Sequence, residues 1–138
     1  MLHIAEALRA AIGREGEAAY PNECCGILLG TEDGGDKTAT ALLPIANARE
    51  DAEKYHRFVI EPDDMAAAEL TAVQRGLDVI GCYHSHPDHP SVPSAYDTAH
   101  ALPFWSYVIV SVQNGRAEVL SSWQLKADRT AFSEETIA

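Results

Sequence analysis

The sequence predicts an α/β protein: a mixed β-sheet with helices packed against it. Three observations predict it. Short apolar runs rich in β-branched and aromatic residues recur at 24–31, 77–86 and 105–112. Segments with helical spacing of apolar residues lie before and between them. Gln113-Asn114-Gly115 then separates the last of these runs from the segment at 116–126. An Asn-Gly turn closes an antiparallel hairpin, whereas a strand that follows a helical crossover lies parallel, so the sheet is mixed.

Residues 2–17 read as a helix, because Ile4, Leu8, Ala11 and Ile12 recur at spacings of three and four. Gly13 and Gly16 weaken its end, and Tyr20-Pro21 breaks it, since the residue before proline avoids the helical region. The run 24–31, CCGILLGT, suits a buried strand with Glu23 at its start. EDGGD at 32–36 is a turn by composition, and 37–46 returns as a strand with Leu43 and Ile45 on one face. Residues 47–54 are polar and read as a loop, and 55–60 alternates as a further strand. A helix opens at Pro62 with acids in its first turn, where the helix dipole favours them, and Gly76 ends it near residue 75. Residues 77–86 form the next strand, and SAYDTAHA from Ser94 reads as a short helix. Residues 105–112 make a central strand and 116–126 its hairpin partner; the tail after 127 adds one more strand.

A chain of 138 residues is of single-domain length, and residues 1–138 are read as one domain. Ten basic against 21 acidic residues leave a net charge of −11. That excludes nucleic acid and anionic membrane as expected partners, because both call for a basic surface. No apolar segment approaches the ~20 residues of a membrane helix. The first residues carry acids and lack an apolar signal core, so the expected location is the cytoplasm. Cys24, Cys25 and Cys82 are odd in number and include a vicinal pair, a poor disulfide framework. They are expected to be small buried apolar residues, and no Cys-x-x-Cys spacing offers a zinc site.

The chemistry concentrates in CYHSHPDHPSVPSAYD at 82–97. His84 and His86 are two apart at the end of a predicted strand, so both imidazoles project from one face. Pro87, Pro90 and Pro93 stiffen the following loop, each fixing its own φ. Asp97 lies three residues beyond Ser94 in the short helix. Two histidines and a returning carboxylate make three zinc ligands, and three protein ligands leave a fourth position open, as in catalytic zinc sites. Ser94 and Asp97 also form a plain Ser-x-x-Asp helix cap, and histidines at a strand end often do no more than face solvent. Ser85 points to the opposite face and reads as a packing residue or as a support for the site from behind. His3, His56, His89 and His100 have no place in the pattern, and Trp105 and Tyr107 read as sheet core.

His84-Ser85-His86-Pro87, seven residues, then Ser94-x-x-Asp97, resembles the JAMM motif of the MPN-plus (JAB/MPN) metalloprotease family. Pro21-Asn22-Glu23-Cys24-Cys25-Gly26 is similar to a stretch found in its small prokaryotic members. The resemblance spans roughly residues 2–123 and implies a curved mixed sheet flanked by helices, similar to cytidine deaminase architecture. It implies Zn²⁺ on His84, His86 and Asp97, with Glu23 handling the proton of a water and Ser94 stabilising an oxyanion. Composition and spacing do not single out Glu23 among 21 acids; the resemblance does.

The activity so implied is zinc-dependent peptide or isopeptide hydrolysis. The substrate implied is a ubiquitin-like or sulfur-carrier protein ending in Gly-Gly. A non-catalytic MPN scaffold is the alternative, weakened because every ligand position is filled. A zinc deaminase would need His-x-Glu and Pro-Cys-x-x-Cys, and neither occurs. The oligomeric state stays open, a homodimer included.

Overall fold

The computed structural model describes residues 1–47 and 60–138, and the side chains of these except Tyr96, Ala99 and His100. Its elements in chain order are β1 (Leu2–Ile4), α1 (Glu6–Ala19), β2 (Cys25–Asp33), β3 (Asp36–Ile45) and α2 (Pro62–Gln74). Then come β4 (Asp78–Pro87), α3 (Ala95–His100), β5 (Ser106–Gln113), β6 (Arg116–Leu125) and β7 (Phe132–Glu135). The strands form one mixed sheet in the order β1-β3-β2-β4-β5-β6-β7. β1 with β3 and β4 with β5 are parallel, and the other neighbours are antiparallel.

The sheet is strongly curled. Leu2 donates its N–H to the Thr136 carbonyl at 2.9 Å, and Ala138 donates back to Leu2 at 2.9 Å. The first strand therefore meets the chain beyond the last one, and edge groups that would otherwise seek a partner are paired. A buried polar chain crosses the same closure. Lys37 on β3 donates to the Ser106 hydroxyl at 3.1 Å, and Ser106 and Ser122 donate to Glu135 Oε1 at 2.7 and 2.8 Å. Burial lowers the pKa of Lys37, and Glu135 and Glu32 work against that shift.

Each face of the sheet carries a core. Leu2, Ile4, Ile12, Leu28, Tyr83 and Val110 pack on the α1 side. Ile27, Leu29, Ala68, Ala72, Cys82 and Tyr107 pack on the α2 side. Along β4, Cys82 faces α2 and Tyr83 faces α1, the alternation a strand imposes.

Three sequence expectations change. Residues 2–4 are a strand, not the start of the first helix. Leu2 and Ile4 alternate with His3, a pattern that serves a strand as well as a helix, and pairing with β3 decides it. The first helix does not weaken at its glycines but continues to Ala19. Gly13 and Gly16 are its buried face: a Cβ at Gly16 would lie 2.9 Å from Val112 Cγ2, so glycine lets the helix settle onto the sheet. The strand read over 77–86 runs one residue further, to Pro87, which is in register with Val112. The strand expected at 55–60 and the loop at 47–54 fall outside the described residues apart from Ile60 and Asn47, as does His56.

Candidate metal centre

β4 lies between β2 and β5 in the middle of the sheet, with Cys25 opposite His84 and Ser111 beside His86. Both imidazoles leave the end of this strand together. Their Nε2 atoms stand 3.1 Å apart, and the rings are buried. The loop after Pro87 turns back, and α3 brings Asp97 to the same point. Asp97 Oδ2 is 3.5 Å from His84 Nε2 and 3.3 Å from His86 Nε2. Three donor atoms of three side chains thus form a nearly equilateral triangle.

Zinc bonds of ~2.0–2.1 Å in a tetrahedron place their outer ends about 3.3–3.4 Å apart, so this triangle fits one face of such a coordination shell. The chemistry of the donors agrees, since two neutral imidazoles and a carboxylate suit zinc. The electrostatics favour a cation as well. Burial alone would raise the Asp97 carboxyl, but His84, His86 and the Ser94 amide hold it well below the usual carboxylate range. Full burial lowers the pKa of His84, and Asp97 works against that shift. Desolvation opposes a charge on His86 too, yet Asp97, the Pro90 carbonyl and Glu23 raise its pKa above 6.5.

Asp97 is fixed by a capping box. The Ser94 N–H donates to Asp97 Oδ2 at 2.8 Å, and the Asp97 N–H donates to Ser94 Oγ at 3.1 Å. The cap reading and the ligand reading therefore describe the same carboxylate oxygen. Ser94 itself sits at the N-terminus of α3 as the capping residue.

Glu23 completes the cluster. It precedes β2, whose antiparallel pairing with β4 brings it alongside, and one of its oxygens lies within 4.8 Å of the two histidine nitrogens. The residue is 4% exposed, and its Oε2 is buried with no hydrogen-bond partner among the described residues. Burial pushes its carboxyl up to about 8; Asp97 adds to the rise and His86 reduces it. A carboxyl with that pKa can hold or release a proton near neutral pH.

Other side chains stay outside the site. Cys25 and Cys82 are buried strand residues, and Cys24 is half-buried. Burial pushes the thiols of Cys24 and Cys25 up to about 11 and 12, which makes them poor nucleophiles. Tyr107 is core, and Trp105 lies near it with the rings tilted at 40° and their centroids 6.1 Å apart. His89 is exposed, and its carbonyl accepts from the Ser111 hydroxyl at 2.6 Å. Of the residues that support the cluster with hydrogen bonds, Ser85 lies inside the His-Ser-His-Pro motif, whereas Asn47 and the Pro90 carbonyl carry no motif signal by which the sequence could reveal them.

A family model described as prokaryotic homologs of the JAB domain matches residues 5–126. The chain belongs to this family. Among its relatives is a desampylase of Haloferax volcanii, 37% identical over 100 residues that make up 71% of this chain and 69% of the relative. A desampylase of Pyrococcus furiosus is 32% identical over 115 residues, 83% of this chain and 74% of the relative. A JAB1/MPN domain protein from Archaeoglobus fulgidus shares the fold, with a TM-score of 0.60 at 18% identity, over 100% of this chain and 97% of that one. The protein is thus a minimal prokaryotic JAMM/MPN domain, and the curled mixed sheet is the fold of that group. Among the described residues, no helix is long and apolar enough to cross a membrane.

Proposed function

We propose that this protein is a zinc-dependent isopeptidase that cleaves after the C-terminal Gly-Gly of a ubiquitin-like or sulfur-carrier protein. The observation that carries the proposal is the 3.1, 3.3 and 3.5 Å triangle of His84, His86 and Asp97 with the buried Glu23 carboxyl beside it. The desampylase relatives support the isopeptidase class and a ubiquitin-like substrate.

His84, His86 and Asp97 would hold the zinc. Zinc there would supply Lewis acidity, making a water acidic near neutral pH and drawing the pKa of neighbouring acids down. Glu23 takes the proton of the attacking water and delivers it to the leaving amine, so one side chain serves as base and then as acid. Ser94 Oγ accepts from the Asp97 N–H, which leaves its own hydroxyl proton to donate to the developing oxyanion.

The test measures metal and cleavage together. Purified protein should carry about one zinc per chain, as a three-ligand catalytic site requires. It should release the extension from a ubiquitin-like protein fused after Gly-Gly, read by mass spectrometry. Full zinc occupancy in the His84→Ala/His86→Ala double variant would remove the ligand assignment. Zinc binding with no cleavage across a panel of such fusions would favour a scaffold instead.

A further inference from the structure

We infer that Ser85 and Asn47 are positioning residues that aim Glu23 at His84 and His86 by clamping the peptide group between Glu23 and Cys24. The inference rests on the proposed role of Glu23 as the base. β2 begins only at Cys25, so Glu23 lies just beyond its regular ladder. Two side chains from different elements take over. Ser85 of β4 accepts the Cys24 N–H on its Oγ at 2.8 Å. Asn47, just past β3, donates its side-chain N–H to the Glu23 carbonyl at 3.2 Å. Both polar atoms of one peptide unit are therefore held. The Ser85 N–H adds a third tie, to the Cys24 carbonyl at 3.2 Å.

This clamp matters because the carboxylate has little else to direct it. Glu23 Oε2 is buried and makes no hydrogen bond among the described residues, so the direction of the side chain follows from its backbone. Ser85 is fully buried on the α1 side of β4, away from the two imidazoles. Gly16 of α1 lies over it, and a Cβ there would come 3.3 Å from Ser85 Cβ. Ser85 thus acts through Glu23 and never touches the metal ligands' donor atoms.

The experiment uses the zinc-loaded protein and a Gly-Gly fusion. Ser85→Ala and Asn47→Ala should each keep one zinc per chain and an unchanged KM. Their kcat should fall by about 10- to 10²-fold, the scale of a small misplacement of a reacting group. Ser85→Thr, which keeps the hydroxyl, should restore most of the loss. In a Glu23→Gln background neither alanine substitution should lower kcat further, because the residue they position is already disabled. Hydrogen exchange supplies a readout that needs no activity: the Cys24 amide should be protected in the wild type and lose protection in Ser85→Ala. Unchanged kcat in both alanine variants, an equal loss in the Glu23→Gln background, or an unprotected Cys24 amide in the wild type would overturn the proposal. Should Ser85→Ala fail to fold, Asn47→Ala decides, because Asn47 is half-buried and lies outside the strands. A wild-type protein that cleaves nothing contradicts the proposed function instead, and the Cys24 exchange still decides the clamp.

Discussion

His86 Nδ1 lies 2.8 Å from the backbone carbonyl of Pro90, four residues further along the chain. The carbonyl can only accept, so Nδ1 carries the proton and Nε2 is left to face His84 and Asp97. The loop that offers this carbonyl is itself tied down. The Asp88 N–H donates to Val112 at 2.7 Å, its Oδ1 accepts from the Asn114 N–H at 2.8 Å, and Trp123 Nε1 donates to Ser91 at 2.9 Å. The segments that carry His84, His86 and Asp97 are thus tied by hydrogen bonds within the chain.

Metal removal should therefore leave the fold intact. The two cores and the sheet closure do not pass through the metal site. After chelation at 25 °C the far-UV circular dichroism should match that of the zinc-loaded protein. Loss of that signal would make the metal structural.

The metal-free protein should also show a pH signature of Glu23. Its carboxyl is pushed up to about 8 when folded, chiefly by burial, from an ordinary 4.5. Between those values the folded chain binds a proton that the unfolded chain has released. Rising pH then favours unfolding, and the contribution present below pH 4.5 is gone once pH passes about 8. Glu23→Gln does not titrate. The Tm of the metal-free wild type should fall relative to Glu23→Gln between pH 5 and pH 8. Parallel curves would show that the group is not perturbed.

Gly26 should tolerate no side chain. A Cβ there would meet the ring of Tyr83 at 2.2 Å, and Tyr83 cannot step aside because its hydroxyl donates to Glu15 at 2.8 Å. Gly26→Ala should lower stability by about 1–3 kcal/mol or more, as overpacking does. Chemical denaturation measures it, and a change below 0.5 kcal/mol would contradict this packing.

Glu135 should matter for stability rather than for chemistry. It is the buried carboxylate at the end of the chain from Lys37 through Ser106. Glu135→Ala leaves the buried Lys37 ammonium without the carboxylate charge beyond Ser106, leaves the Met1 ammonium without a partner 3.8 Å away, and should cost about 3–5 kcal/mol. The Lys37→Met/Glu135→Leu double variant removes both charges and should recover much of that loss. A Glu135→Ala protein as stable as the wild type would contradict the weight given to this buried relay.

Much of this molecule is legible in the sequence, for local reasons. The apolar runs around Leu28, Ile80 and Ile109 become the middle strands because buried strands read as continuous apolar stretches. Asn114 and Gly115 both adopt the positive φ that their hairpin turn requires. Asp97 is traceable because its spacing from Ser94 is local. What stays hidden depends on partners distant in sequence. Residues 2–4 become a strand only through β3, and Gly13 and Gly16 look like helix breakers until the sheet beneath them is seen. Glu23 is anonymous for the same reason: 61 residues separate it from His84, and only the pairing of β2 with β4 joins them.

The most direct measurement compares wild type and Glu23→Gln, both loaded with zinc, on one Gly-Gly fusion. Glu23→Gln keeps the size of the side chain and its hydrogen-bonding capacity but cannot take a proton. The two proteins should hold equal zinc and unfold at similar temperatures, while turnover falls by at least about 10²-fold, the lower end of general acid–base assistance. Cleavage by Glu23→Gln at the wild-type rate would contradict the account.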